Sequence, residues 1–378
     1  MTNQLATNNQ PLTPNLTAHH LRITLTVETP LELDDHPGSA LRGMLFNALR
    51  GPKHNPAVGF CVQRHLPTCA DCSLVAACPV ASLVATLNPQ AERGRDVPRP
   101  YTIEPPLIGS PHYQPGDSLT FGLTLLGNAL NLFPYVVMAL RQAGPYGLGK
   151  KLPQATAGGQ YRRGRFSLRQ VEAINLLTGE AQPVLEPGST LVQQPMLPVT
   201  QAQVQAESWR LLAQPLPVAG NGHNGGSVFL RGQVDEPIDL TVQFLTPTRL
   251  THQNQLLKTP EFSPLFHRLL ERLIQLNQEH MQLTEPANPP QLTEVGKPEL
   301  LAVADTVTTI SNQTQWREVW SYSNRQGRRI PISGLVGQAV YRASRESWAR
   351  LLPVLVWGSV VHVGKNAVKG EGMIAVSR

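Results

Sequence analysis

Apolar and polar positions repeat with two different periods along the chain, and the period predicts the type of each element. In residues 21–27 every second side chain is apolar, which predicts a strand with one buried face. Residues 39–52 repeat their apolar positions every three to four residues, which predicts a helix that Ser39 caps. Gly43 lies inside this helix, so we expect another backbone to pack closely against it.

The same two patterns recur along the rest of the chain. The further predicted elements are a strand at 118–127, a helix at 133–143, a basic strand at 161–176, a strand at 237–253, a helix at 263–280, a hairpin turning at 324–327, a helix at 344–358 and a strand at 373–376. The second half fits the order strand–helix–strand–strand–helix–strand, and the first half, which reads strand–helix–insert–strand–helix–strand, is expected to follow the same plan. This is the α+β plan of tandem ferredoxin-like, or RRM-like, domains.

Changes in amino-acid composition along the chain indicate the domain boundaries. Residues 1–17 are polar and predict a disordered leader. Residues 18–177 are expected to form an N-terminal ferredoxin-like domain with a cysteine-rich insert at about 53–80. Residues 178–228 are rich in Pro, Gln and Gly and predict a connector with some strand content. Residues 229–378 are expected to form a C-terminal ferredoxin-like domain with a glycine-rich loop near its end.

Positive charge is unevenly distributed along the 378 residues, whose formal net charge is +6. The stretches 118–171 and 319–345 contain no Asp or Glu. Their cationic residues are Arg141, Lys150, Lys151, Arg162, Arg163, Arg165 and Arg169 in the first, and Arg325, Arg328, Arg329, Arg342 and Arg345 in the second. Regions of one sign are typical of surfaces that follow a phosphate backbone. The alternative is that carboxylates from elsewhere in the fold pair with them.

The sequence shows no sign of a membrane protein. Its first residues do not read as a signal peptide, and no apolar run reaches the length of a transmembrane helix. Hydrophobic residues make up 41% of the chain, enough for a substantial core. We therefore expect a soluble, cytoplasmic protein with no membrane partner.

All cysteines of the chain lie close together in the sequence. They are Cys61, Cys69, Cys72 and Cys78, with the spacing C-x7-C-x2-C-x5-C. Four thiolates can hold zinc tetrahedrally, so a structural zinc site is one interpretation. Reduced, partly buried thiols and redox chemistry are the others, since disulfides are uncommon in a cytoplasmic chain. His65 lies among the cysteines and is a further candidate ligand.

A glycine-rich loop precedes the final strand. It contains Gly358, Gly364, Gly370 and Gly372, with His362, Lys365 and Lys369 between them. Free backbone N–H groups in such a loop can bind phosphate, and lysines add positive charge. We therefore expect an anion site here, and the alternative is a tight turn with solvated lysines. The spacing matches neither a Walker A loop nor a dinucleotide-binding fingerprint.

Four segments, in this order along the chain, resemble the CRISPR repeat-processing endoribonucleases of the RAMP superfamily. They are residues 41–49, 125–153, 241–250 and 332–372, and the last includes the glycine-rich loop. The loop of that family usually ends in a Gly-Leu-Gly-type triplet. This chain has Gly370-Glu371-Gly372 instead, which places an acid beside the expected phosphate site.

The resemblance implies an endoribonuclease that binds the repeat hairpin of precursor CRISPR RNA and needs no cofactor for catalysis. A 2′-hydroxyl of the RNA attacks the adjacent phosphate and leaves a 2′,3′-cyclic phosphate and a 5′-hydroxyl. Many members of that family then keep hold of the RNA 3′ end as its cap, so the resemblance also implies other CRISPR effector subunits as partners. The alternatives are a non-catalytic RNA-binding RAMP subunit of an effector complex and a zinc-bearing nucleic-acid regulator.

The resemblance also suggests site residues, because the family's catalytic histidine lies close to the first helix. His54 with Lys53 is the favoured catalytic pair, and His36 is the second candidate for the catalytic histidine. Histidine suits proton transfer near neutral pH, and lysine suits a negatively charged phosphate. The predicted RNA-binding residues are Arg42, Lys150, Lys151, Arg162, Arg163, Arg165, Arg325, Arg328, Arg329, His362, Gly364, Lys365 and Lys369.

Overall fold

The computed structural model has an α+β fold with antiparallel sheets. It describes residues 16–51, 57–66, 69–85, 97–107, 110–153, 161–213, 236–253, 255–280, 296–323, 327–364 and 366–378. The helices are α1 (Gly38–Arg50), α2 (Phe133–Ala143), α3 (Gln201–Ala213), α4 (Phe262–His280), α5 (Lys297–Ala304) and α6 (Arg345–Val361). None of these described helices is both long and apolar enough to cross a membrane.

The strands fall into two main sheets and several short ribbons. They are β1 (Ala18–Val27), β2 (Leu31–Glu32), β3 (Tyr101–Glu104), β4 (His112–Tyr113), β5 (Ser118–Leu126), β6 (Leu148–Pro153), β7 (Tyr161–Gly164), β8 (Phe166–Ile174), β9 (Ala181–Leu185), β10 (Ile238–Thr248), β11 (Leu250–His252), β12 (Gln255–Leu257), β13 (Thr308–Arg317), β14 (Trp320–Ser323), β15 (Arg328–Pro331), β16 (Gly334–Ala343) and β17 (Ile374–Ser377).

The first sheet has the strand order β3-β5-β1-β8-β9, with antiparallel neighbours throughout. Its central strand, β1, buries Leu21, Ile23 and Leu25 completely, whereas Arg22 on the other face is exposed. This is the alternation that the sequence predicts. Helix α1 follows β1 and helix α2 follows β5, and their apolar faces share one hydrophobic core with the sheet.

The second sheet has the strand order β13-β16-β10-β17, again antiparallel. Helix α4 follows β10 and α6 follows β16, so the elements again run strand–helix–strand–strand–helix–strand, apart from the short additions. In α6 the fully buried Trp348 donates a hydrogen bond from Nε1 to the carbonyl oxygen of Ile238, at 2.8 Å. This bond satisfies the indole N–H inside the core.

The two halves of the chain share parts of their cores. Val368, from the glycine-rich loop, packs into the core of the first sheet. Leu16 and Ala18, from the start of the described chain, pack into the core of the second. Leu16 is 1% exposed, so the end of the predicted leader is part of the fold, while residues 1–15 lie outside the described residues.

The segment predicted as a connector with some strand content contains a strand, β9, and also a helix, α3, that was not predicted. Strand β9 extends the first sheet by pairing with β8, and helix α3 packs against α6. Trp357 of α6 donates a hydrogen bond from Nε1 to Oε1 of Gln201, at 2.8 Å. Helix α3 was missed because one of its four buried positions is the polar Ser208, which weakens the apolar stripe. Residues 214–228 of the predicted connector lie outside the described residues.

The start of α1 differs from the prediction in two respects. Pro37 takes the N-cap position, and Ser39 does not cap the helix; its Oγ lies 2.9 Å from Oγ of Ser321 in the second half of the chain. A Cβ added at Gly43 would meet no described heavy atom within 4 Å, so the expected close packing there is wrong. Gly38 makes the close approach instead, because a Cβ there would lie 1.8 Å from the carbonyl oxygen of Lys369.

Because His19 on β1 is buried, we expect the protein to lose stability in mild acid. The side chain is 7% exposed, and burial lowers the pKa of His19 to about 4 from its ordinary value of 6.5. Between these values the unfolded chain binds the proton more readily, so the free energy of unfolding falls as the pH falls through this window. The full difference corresponds to about 3 kcal/mol. Urea unfolding at several pH values, compared with His19→Leu, measures it.

We expect His19→Leu to flatten this part of the pH dependence. His112 is the matched control, because its side chain is 62% exposed. His112→Leu should retain the acid sensitivity of the parent chain. A parent and a His19→Leu variant with equal slopes between these pH values would contradict the prediction.

Candidate active site

A cleft with a volume of about 700 Å³ lies between the two halves of the chain. One wall consists of the loop before α1, the exposed face of α1, and the ribbon of β6 and β7. The other wall consists of residues 317–321 and Arg329 on β15. Because each half supplies one wall, the cleft depends on how the halves pack. The contact between Ser39 and Ser321 lies within it.

Cationic side chains outnumber carboxylates in the described lining of this cleft. The cations are Lys150, Lys151, Arg163, Arg317 and Arg329, and the carboxylates are Asp34, Asp35 and Glu318. Glu318 accepts hydrogen bonds from Trp316 Nε1 and Ser333 Oγ, so neutral donors stabilise part of its charge. A cleft with an excess of positive charge favours polyanions.

In the two stretches without Asp or Glu, some cations pair with carboxylates from elsewhere in the fold, and others line the cleft. Lys150 forms an ion pair with Glu32, with Nζ 2.6 Å from Oε1, and Arg342 forms one with Asp239 at 2.7 Å. Carboxylates from outside the stretches therefore pair with some of the cations. Lys151, Arg163 and Arg329 nevertheless line the cleft, as expected for a phosphate-binding surface.

His36 is the predicted catalytic residue that the structure places at the cleft. It lies in the loop just before α1, and its side chain is 12% exposed. Its Nδ1 lies 3.3 Å from Oε1 of Glu371, and its Nε2 is buried with no hydrogen-bond partner among the described residues. The favoured pair, His54 and Lys53, lies outside the described residues.

The remaining predicted RNA-binding residues occupy different environments. Arg162, Arg165 and Arg328 are exposed, whereas Arg325 and Lys365 lie outside the described residues. Arg42 on α1 points inward, since its Nε is buried. Burial raises the pKa of Tyr101 and the nearby Arg42 guanidinium opposes this rise, whereas burial and Arg42 together lower the pKa of Lys369. The structure therefore does not support direct contact of Arg42 with RNA, because the side chain turns away from the cleft.

The glycine-rich loop is buried between the two halves rather than open to an anion. His362 is fully buried, and burial followed by the nearby Arg42 guanidinium lowers the pKa of Lys369 to about 8. Gly364 has a φ of +78°, and a Cβ there would lie 2.6 Å from the carbonyl oxygen of Arg249. The glycines thus permit close backbone packing. The expected anion site, with His362 and Gly364 contacting phosphate, does not fit this arrangement.

A buried polar cluster joins this loop to the first sheet. Oε1 of Glu104 lies 3.5 Å from His20 Nδ1 and 3.8 Å from His362 Nε2. Burial would raise the pKa of Glu104, but His20 and His362 together hold it below its ordinary value. No local sequence pattern indicates this cluster, because its members lie on three separate elements.

The four cysteines lie near one another without forming a preassembled metal site. Burial raises the pKa of the Cys69 thiol, and the charges of Cys61, Cys78 and Cys72 raise it further. Cys61 and Cys78 also pack against the first core. Within the described residues, no group of three or more His, Cys, Asp or Glu side chains is arranged to hold a metal ion. Structural zinc stays a prediction.

A cationic cleft between two sheet-and-helix halves is typical of a nucleic-acid-binding protein. A family model described as CRISPR-associated endoribonuclease Cas6 matches residues 242–374. A second family model, AF_1859_N, described as an N-terminal domain, matches residues 16–197. This match confirms the resemblance to CRISPR repeat-processing endoribonucleases over residues 242–374. No curated protein matches the chain.

Solved structures of Cas6 proteins resemble the chain at low identity. The partial Cas6-RT-Cas1–Cas2 complex aligns over 97% of this chain with 12% identity and a TM-score of 0.53, and the chain spans 46% of that protein's length. The Cas6 (TTHB231) product complex covers 95% of this chain and 99% of its own, with 16% identity and a TM-score of 0.49. Thermus thermophilus Cas6 (TTHB231) covers 96% and 98%, with 16% identity and a TM-score of 0.47. The first likeness shows a shared fold.

Proposed function

We propose that this chain is an endoribonuclease that binds the repeat of a precursor CRISPR RNA in the cleft and cuts it without a metal ion. The observation that carries the proposal is the position of His36, an imidazole beside a cleft rich in cationic side chains. The match of residues 242–374, which supply the second wall of the cleft, to the Cas6 family model supports the same reading.

The imidazole and the cationic side chains of the cleft can together carry out the cleavage of RNA. A neutral imidazole accepts the proton of a 2′-hydroxyl, and the 2′-oxygen then forms a bond to the adjacent phosphorus. The bond from phosphorus to the 5′-oxygen breaks, and that oxygen takes a proton from water or from an ammonium group in the cleft. Lys151, Arg163 and Arg329 offset the negative charge that develops on the phosphate. The products are a 2′,3′-cyclic phosphate and a 5′-hydroxyl.

In this proposal His36 takes the place of His54 as the base. Its Nε2 is buried as the ring stands, so RNA binding has to expose this nitrogen to the 2′-hydroxyl. Catalytic hydrogen bonds often become short only in the complex with substrate. The loop of residues 33–37, which carries His36, contains no regular strand or helix, so a small shift there does not disturb either sheet.

We also propose that the chain consists of two ferredoxin-like domains and acts together with other CRISPR proteins. The strand orders β3-β5-β1-β8 and β13-β16-β10-β17 support two ferredoxin-like domains in tandem, with Gly364–Gly372 connecting the second to the first. One similar protein occurs in a Cas6-RT-Cas1–Cas2 complex, and another was solved as a product complex. We therefore expect this chain to act with other CRISPR proteins and to hold its product as the cap of the guide RNA 3′ end.

Cleavage of a labelled repeat RNA in EDTA tests the proposal. The parent chain should cut the RNA at one position, and a substrate with a single 2′-deoxy nucleotide at that position should remain intact, because the nucleophile is missing. The deoxy substrate should bind as tightly as the unmodified RNA. Mass spectrometry of the 5′ fragment should show a cyclic phosphate.

Two outcomes would overturn the nuclease mechanism. Cleavage that requires Mg²⁺, or that proceeds on the deoxy substrate, would exclude attack by the 2′-hydroxyl. Tight binding of the repeat without cleavage would instead support the non-catalytic RNA-binding subunit.

A further inference from the structure

Glu371 in the glycine-rich loop is a buried carboxylate without a hydrogen bond. It is 1% exposed, and neither Oε1 nor Oε2 has a hydrogen-bond partner among the described residues. Leaving a buried carboxylate unpaired is costly, so a protein retains one mainly where it has a use. The nearest charged partner of Glu371 is His36, with Nδ1 3.3 Å from Oε1.

The backbone on both sides fixes the position of this carboxylate. Gly370 and Gly372 have φ values of +80° and +75°, which favour glycine. A Cβ at Gly372 would lie 1.8 Å from the carbonyl oxygen of Val363, and the N–H of Gly372 donates to the carbonyl oxygen of Pro247 at 3.2 Å. The carboxylate therefore projects toward His36 from a rigid turn rather than from a loose surface loop.

Three cationic or titratable groups influence the carboxyl of Glu371. Burial raises its pKa, whereas His36, Lys369 and His362 act to lower it. His362 is also close to Glu104, which His20 contacts from the first sheet. Glu104 thus has two histidine partners of its own, and His36 is the histidine within contact distance of Glu371.

We propose that Glu371 is a positioning residue for His36: a small rotation of either side chain turns the 3.3 Å contact between Nδ1 and Oε1 into a hydrogen bond from Nδ1–H, which keeps the lone pair of the imidazole on Nε2. The second nitrogen, which makes no hydrogen bond, is then the one that accepts the proton of the 2′-hydroxyl. A carboxylate that orients the base of a nucleophile is a recurring arrangement in nucleophilic catalysis. The inference rests on the proposed role of His36 as the base.

The tautomer of His36 tests the proposal directly in the full-length parent chain. With ¹⁵N-labelled histidine at about pH 8, above the ordinary pKa of imidazole, NMR should show His36 protonated at Nδ1. Assignment uses the signal that disappears in His36→Gln. A parent chain with His36 protonated at Nε2 would overturn the proposal, and this measurement requires neither RNA nor activity.

Glu371→Gln tests the consequence for the reaction. We expect the single-turnover rate to fall by about 10–100-fold, the usual effect of removing the partner that orients a functional histidine, with the affinity for the 2′-deoxy repeat unchanged. The Nδ1–H signal of His36 should lose its predominance in the same variant. Glu104→Gln is the matched control, because it removes a carboxylate of β3 that contacts His362 of the glycine-rich loop without touching His36, and its rate should stay at that of the parent.

The NMR measurement and the cleavage measurement together distinguish a failure of this inference from a failure of the proposed function. If the parent chain binds but does not cut the repeat, the proposed function fails, while the tautomer still decides whether Glu371 positions His36. If the parent cuts and Glu371→Gln cuts equally fast, the positioning role is wrong and the nuclease proposal stands.

Discussion

His36→Ala is expected to reduce the single-turnover cleavage rate of a repeat RNA by about 100- to 10,000-fold, the range that a general base contributes. The physical reason is its position: His36 lies at the cleft between the halves, beside the cationic residues that would hold the phosphate. The affinity for uncleavable RNA should change little, because the cations of the cleft are untouched. Rapid-quench cleavage together with filter binding measures both quantities.

His54→Ala, made in parallel, separates the two candidate histidines. We expect it to cut at close to the parent rate, and His112→Ala, which removes an exposed histidine, serves as the general control. Normal cleavage by His36→Ala with loss of cleavage by His54→Ala would restore the pair His54 and Lys53 as the catalytic residues.

Gly38→Ala is expected to destabilise the protein, whereas Gly43→Ala in the same helix is expected to stabilise it. A Cβ at Gly38 would lie 1.8 Å from the carbonyl oxygen of Lys369, so either α1 or the glycine-rich loop must move. Forcing atoms into a packed site typically costs about 1–3 kcal/mol. At Gly43 a Cβ meets no described atom within 4 Å, and alanine is favoured over glycine in a helix by about 1 kcal/mol.

Urea unfolding of the two variants checks this pair. Gly38→Ala should also slow cleavage, because the displaced loop carries Glu371 away from His36. Equal stability of the two variants would show that the contact between α1 and the loop is looser than described. A destabilised Gly43→Ala would show that another backbone packs there after all.

Local patterns predicted much of the fold. The buried face of β1 and the helices predicted at 263–280 and 344–358 are confirmed, and the Oγ of Ser344 accepts a hydrogen bond from the N–H of Ser347 at 3.0 Å at the start of α6. These features depend on residues within a few positions of one another. The sequence also placed His36, Lys151, Arg163 and Arg329 among the candidate residues, since each belongs to a local cluster of charge or to the start of a predicted helix.

The residue types of the glycine-rich loop led to a prediction that differs from the structure. Glycines with lysines predicted an open anion site, but the loop packs between the halves and inserts Val368 into the first core. Ser39 and Gly43 show the same limit: a local rule assigned one as a cap and the other as a close contact. In the structure Ser39 contacts Ser321, and Gly38 makes the close approach.

The sequence by itself indicated several of the main strands and helices in each half, such as β1, α1, α4 and α6, the clustering of positive charge and the resemblance to repeat-processing endoribonucleases. Only the tertiary structure decided that the two halves enclose a cleft and that Glu371 lies beside His36. The physical reason is that periodicity reports which face of an element is buried, whereas the meeting of a loop near one end of the chain with a helix near the other depends on backbone packing between distant segments.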